Sequence, residues 1–200
     1  MNTSFHEAGN WTSCNDRTGI PDILDYIIVA TGNTIDITQP VIIQGIAAGG
    51  TGGSLKIAES TDLILSDNTN AQIQSDIVFI ADSNTCTTCN VSIRGGLKVL
   101  GGSLTIGSGI KVKLPDYSTN YIGDSSSFGA LRTSHVSGNK PKVERYGENA
   151  DRFQKFIIEG PIGTPSVINI DGLEMTDNDA TSGLFEFQGY YTITNFDNID

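Results

Sequence analysis

Residues able to do chemistry are few in this sequence and mostly isolated. Three cysteines occur, Cys14, Cys86 and Cys89, and the last two form a Cys86-Thr-Thr-Cys89 turn. A tetrahedral zinc site needs four ligands, yet there is no second Cys-x-x-Cys, and His6 and His135 are the only histidines. A thioredoxin-like redox pair wants a helix after it, whereas Asn90-Val-Ser-Ile-Arg94 alternates like a strand. Three readings stay open: a short Cys86–Cys89 disulfide or inert thiols, pairing of Cys14 with one of the two, and a metal knuckle. Neither histidine has visible triad partners, and each is expected on an exposed loop.

Phosphate-cradling and nucleophile motifs are equally thin. Gly49-Gly-Thr-Gly-Gly53 precedes a strand instead of opening a helix, and Gly107-Ser-Gly109 is an incomplete nucleophile elbow. From Asp171 onward the chain carries seven acids and no base. Asp177-Asn-Asp179 could offer oxygens to calcium, but the glycine at the sixth loop position is missing, and a solvated acidic face is the simpler reading. No cofactor is expected, and calcium is the one candidate ion.

Basic residues cluster differently. Six of the twelve lie between Arg132 and Lys155, where the segment is net +3 in a chain of net charge −11. Tyr117, Tyr121, Phe128, Arg132, Lys140, Lys142 and Arg145 are the candidate binding residues, facing either an acidic glycan or the acidic body of the protein itself.

The elements that position these residues must be strands. No stretch repeats apolar residues at helical spacing, while short β-branched runs recur between Gly, Asn, Asp and Ser. Such runs include Tyr26–Val29, Thr34–Thr38, Val41–Ile43, Ser54–Ile57, Asp62–Leu65, Ile77–Ile80, Val91–Ile93, Leu97–Leu100, Ser103–Ile106 and Ile110–Leu114. Four more follow at Phe156–Ile158, Val167–Ile170, Leu184–Phe187 and Tyr191–Ile193.

An internal match bears on how these strands assemble. Gly52-Gly-Ser-Leu-Lys-Ile57 aligns with Gly101-Gly-Ser-Leu-Thr-Ile106, and further on Leu63 with Val112 and Leu65 with Leu114, at an offset of 49 residues. That spacing divides into two coils of about 24 or 25 residues, each burying its apolar face against the next. The expected fold is therefore all-β: a right-handed parallel β-helix, or β-solenoid. A Greek-key β-sandwich, which also uses short strands and turn signals, is the alternative.

Composition bounds the setting. Twelve basic against 23 acidic residues argue against nucleic acid or an anionic membrane as partner, and no run of about 18 apolar residues is long enough to span a bilayer. Met1-Asn-Thr-Ser-Phe-His-Glu lacks the basic and apolar regions of a signal peptide. Richness in Thr, Ser, Asn, Gly and Ile suits a secreted β protein, so a piece of a longer extracellular chain is expected.

Gly9-Asn-Trp11, Gly19-Ile-Pro-Asp22, Asp25–Val29, Gly32-Asn-Thr-Ile-Asp-Ile37, Gly53–Ile57 and Leu63-Ile-Leu65 also follow one another in a familiar order. The order resembles the glycine-rich "eight-glycine" β-domain and the related amino-terminal caps of large secreted bacterial β-helix proteins. The resemblance spans roughly residues 9–115, departing where family members often carry an aromatic before the Gly-x-Pro and this chain has Arg17-Thr18. It implies an extracellular, non-catalytic module of a surface or adhesin-like protein. In such a cap Trp11 would close the first coil over Ile27 and Val29.

The expected organisation is an amino-terminal cap at 1–24, coils at 25–114, a loop excursion or small subdomain at 115–153 and further coils at 154–200. The expected role is a structural or adhesive segment at the cell surface or outside the cell. Its partners would be other domains of a longer chain, identical subunits or carbohydrate, with no nucleic acid and no membrane insertion. The other function considered is a fragment of a carbohydrate-active β-helix lyase or hydrolase, but the Asp-Asp pair, Gly-His-Gly and Arg-x-Lys of β-helix pectinases are absent.

Overall fold

A computed structural model of the chain describes residues 2–12, 19–49, 51–115, 119–124, 126–134, 139–146, 154–158, 167–169, 174–177, 185–189 and 193–194. The chain enters as β1 (Asn2–Ser4) and, after one turn of 3-10 helix at Ala8–Asn10, forms β2 (Tyr26–Ile27). Next come β3 (Thr34–Ile37), β4 (Val41–Ile43) and β5 (Gly45–Ile46). Then β6 (Thr51–Ile57) leads into the long β7 (Asp62–Ile73), and β8 (Asp76–Ala81) into the long β9 (Cys89–Val99). A set of three follows, β10 (Gly102–Gly107), β11 (Ile110–Pro115) and β12 (Thr119–Ile122), and then β13 (Gly129–Ser134), β14 (Lys142–Tyr146) and β15 (Gln154–Ile158). The described strands end with β16 (Val167–Asn169), β17 (Glu174–Asp177), β18 (Phe185–Gly189) and β19 (Ile193–Thr194).

Every ladder among the described residues is parallel. An eight-stranded sheet runs β1-β3-β6-β8-β10-β13-β16-β19. The second sheet has two branches joined through β7 and β9. The first halves of these two strands pair with each other and with β4 and β11; their second halves pair with each other and with β5 and β12. Parallel pairing excludes simple hairpins, because the chain must travel back before it can lie alongside itself.

The ladders stack like on like. One row runs Val41, Leu63, Val91, Val112, Val143, and a second runs Ile27, Ile46, Ile73, Val99, Ile122. In the eight-stranded sheet Ile35, Leu55, Phe79 and Ile106 form a third, with Ile77, Leu104 and Leu131 beside it. All of these side chains are buried. Along most strands they alternate with half-buried outward residues, polar in Ile110-Lys-Val-Lys-Leu114 and apolar in Val41-Ile42-Ile43. Most parallel sheets are covered by helices on both faces and lose that alternation. Here the inward faces of the ladders cover one another, and each buried Leu or Ile contributes ~1.5–3 kcal/mol.

The Gly-Gly starts of β6 and β10 hold both conformational and steric roles. The first glycine of each pair has positive φ, +96° at Gly52 and +76° at Gly101. The second has no room for a side chain: a Cβ at Gly53 would overlap Val29, and one at Gly102 would lie 2.7 Å from the Asp76 nitrogen.

Two sequence expectations change here. The 49-residue offset holds for Leu63, Val91 and Val112, but Leu55 stacks through Phe79 onto Ile106, not through to Leu104. The cause is the corner after the strand, four residues (58–61) between β6 and β7 and two (108–109) between β10 and β11. Residues 115–153, expected as an excursion, instead supply β12, β13 and β14 to the interior of both sheets. Their alternating pattern is short and charged, and neighbouring strands complete it.

The amino-terminal residues cover one edge of the eight-stranded sheet. Phe5, only 1% exposed, extends the β1 ladder by donating its N–H to the Asp36 carbonyl at 2.8 Å. Trp11 rests on it, half-buried, with its ring edge-on at 5.0 Å and its indole N–H donated to the Phe5 carbonyl at 2.9 Å. Phe5 is thus the more deeply buried of the two aromatics, and Trp11 packs partly buried against the same core.

Candidate functional site

The candidate binding residues whose side chains are described fall on different strands. Tyr121 stands half-buried on β12 with the Lys98 ammonium 5.5 Å from its ring centre. Arg132 is exposed on β13, in the eight-stranded sheet, and Phe128 is half-buried just before that strand. Arg145 occupies the ladder position of Leu114, while Tyr117 lies outside the described residues. Among the described candidates Lys140 and Lys142 come together, beside Cys86.

Those two cysteines are joined in a disulfide, with Cα atoms 6.0 Å apart and both side chains buried. Cys14 lies outside the described residues. The bond closes the corner between β8 and β9, where the Cys86 N–H also donates to the Ser83 carbonyl at 2.9 Å. Asn139, on the approach to β14, clamps that corner, its side-chain amide donating to the carbonyls of Asn84 and, at 3.3 Å, Cys86. Gly109 fits beneath with φ +76°; a Cβ there would press within 3.1 Å of the Ser83 and Cys86 carbonyls.

Between the disulfide corner, β11 and the approach to β14 lies a cleft of about 220 Å³, lined by Cys86, Thr87, Lys111, Asn139, Lys140 and Lys142 among others. Lys111 and Lys142 are direct ladder partners, so two ammonium groups project from neighbouring rungs. Like charges directly opposite oppose each other. Glu144 offsets part of this, its carboxylate 3.5 Å from the Lys111 ammonium, and Glu174 is the next rung beyond Lys142. Among the described residues none of those lining the cleft is itself a carboxylate, but Glu144 pairs with the lining Lys111. Sequence reading missed Lys111, Asn139 and Thr87. The alternation around Lys111 marks it as outward-facing, but only the Cys89–Ile110 register brings it beside the disulfide.

Other polar groups serve the ladders. Asp36, Lys56 and Asp82 form a chain on the outer surface, the Lys56 ammonium lying 3.1 Å and 3.4 Å from the two carboxylates. Hydrogen bonding to Asp36 holds the Lys56 pKa above its ordinary value, aided by Asp82 and opposed by partial burial. Asn120 is fully buried and its side-chain oxygen accepts the Leu97 N–H at 2.9 Å. His6, expected to be exposed, is half-buried against Phe5 with ring centres 5.6 Å apart, and His135 lies outside the described residues. Asp177 is the ladder partner of Arg145, and Asp179 lies outside the described residues. Among the described residues no three His, Cys, Asp or Glu side chains converge as metal ligands.

No protein-family model, curated protein or solved structure matches the chain.

Proposed function

We propose that the chain is a non-catalytic scaffold segment of a secreted or cell-surface protein, wound as a right-handed parallel β-helix. The observation that carries this reading is the set of continuous aliphatic rows. The buried apolar residues of successive strands go into stacking, and the outward positions between them are mixed, with lysines on β11 and apolar Ile42, Ile64 and Val78 elsewhere. A right-handed course follows from the general handedness of crossovers between parallel strands. The disulfide supports an oxidising compartment, where such bonds persist. A rigid stack of this kind would hold neighbouring domains or subunits apart and present its outer faces to them or to glycan.

Incubation of the protein with acidic and neutral polysaccharides, read by release of reducing ends and of unsaturated products, tests the assignment. The scaffold reading expects none above a heat-inactivated control. Sustained release dependent on protein concentration would replace it with a carbohydrate-active enzyme.

A further inference from the structure

We propose that the Cys86–Cys89 disulfide is a redox-sensitive clasp that ties together four corners of the fold, closed in the oxidised chain and released by thiol–disulfide exchange. The clasp stands apart from the scaffold reading and needs no ligand.

The four corners lead from the eight-stranded sheet into the second sheet. They are 58–61 between β6 and β7, 82–88 between β8 and β9, 108–109 between β10 and β11, and the connection from β13 to β14 that carries Asn139. The disulfide closes the second, and contacts run from it to the other three. Thr88, inside the loop that the bond closes, accepts the Ser60 N–H on its hydroxyl oxygen at 3.0 Å. Ser60 has φ +59°, the one positive φ among the described non-glycine residues, a conformation that a side chain disfavours. The carbonyls of Asn84 and Cys86 receive the Asn139 amide. Gly109 lies against the Ser83 and Cys86 carbonyls, leaving no room for a side chain. All three contacts depend on the shape of the 82–88 backbone, and closing Cys86 onto Cys89 removes most of the shapes that this segment could otherwise take.

The bond is shielded, yet it sits in the part of the corner that can open locally. Cys86, 3% exposed, lines the cleft, whereas Cys89 is wholly buried. Exposed residues flank Cys86 on both sides, Ser83 to Thr85 before it and Thr87-Thr88 after it. Lifting them bares the Cys86 sulfur without parting a ladder. A thiolate of a dithiol reductant then attacks Cys86 Sγ, and Cys89 leaves as a thiolate that takes up a proton. The reductant's second thiol displaces Cys86 as a thiol and closes its own disulfide, so the protein gains the two electrons and two protons that the dithiol loses. With the loop open, Thr88 no longer holds Ser60 and the Asn139 amide loses its paired acceptors.

Amide hydrogen exchange of the full folded chain, before and after treatment with excess dithiothreitol, tests the proposal, with alkylation of Cys86 and Cys89 reporting that the bond has opened. Exchange should quicken about tenfold more at Ser60 than at Leu100, whose N–H is held by the Ile73 carbonyl on the other branch of the second sheet. Asn139→Ala should lower the thermal midpoint of the oxidised protein and move that of the reduced protein less than half as far. If Asn139→Ala does not fold, Thr88→Val carries the comparison. It should quicken Ser60 exchange in the oxidised chain, and reduction should then add little. A bond that the dithiol cannot open in the folded chain overturns the clasp. Equal quickening at Ser60 and Leu100 makes the disulfide a staple of the whole molecule instead, and an Asn139→Ala shift of the same size in both redox states removes the coupling. None of these failures touches the scaffold reading, which the polysaccharide assay judges separately.

Discussion

At the scale of single residues, the paired glycines show how one repeated motif divides its tasks. Gly52 and Gly101 supply backbone angles that a side chain disfavours, whereas Gly53 and Gly102 make way for the coil before them. The repetition was legible in the letters, but this division was not, since it depends on what lies in the adjacent rung. Gly102→Ala should therefore destabilise the protein by about 1–3 kcal/mol, the usual range for overpacking. A thermal midpoint lower by roughly 3–10 °C would be the readout. The backbone beneath it, Ser75 and Asp76, cannot yield as a flexible side chain could. A midpoint within a degree of the parent would show that the rungs slide apart freely. Asn120 illustrates the opposite difficulty. Nothing in Thr119-Asn-Tyr-Ile122 marks that asparagine as buried, because its role is set by Leu97, 23 residues earlier.

Among the elements, strands were easier to read than corners. Val41–Ile43 appears where the β-branched run placed it, and Ile110–Leu114 extends by one residue. By contrast, Gly129–Ser134 and Lys142–Tyr146 carry no run of three β-branched residues, and they are strands because neighbours on both sides complete their pairing. Corner length decided the register, which is why the Gly-Gly-Ser-Leu alignment holds in one ladder and slips by two residues in the other. The corner at 82–88 is the longest of those three and the one closed covalently. Replacing both cysteines, Cys86→Ala/Cys89→Ala, should cost about 2 kcal/mol. So short a loop gains less from closure than a long one. The parent should lose a similar amount on reduction, and the variant should be indifferent to reductant. If reduction leaves the parent's midpoint unmoved, Asn139 and the ladder hydrogen bonds hold the corner by themselves.

Across the molecule, all the ladders join residues 19 to 37 positions apart, so the fold is assembled from contacts of similar, intermediate range. Stability in such an array is close to a sum over neighbouring rungs. Strands with a partner on each side should be held more firmly than β1 or β2, each of which has a single partner among the described residues. This was partly legible beforehand: a repeat implies stacking, and stacking implies ends. Of the aromatics packed beside β1, the sequence singled out Trp11 and not Phe5. The structure buries Phe5 more deeply and packs Trp11 onto it. Native-state hydrogen exchange reads the resulting gradient directly. Amides of Val91, Ile106 and Val112, in the middle of their ladders, should exchange slowest, and protection should fall stepwise toward Thr3 and Ile27. The central amides report the loss of several interfaces at once, while an edge strand can open by breaking one. Equal protection from β1 through β11 would mean that the rungs unfold as a single unit. The additive picture of one coil supported by the next would then be wrong.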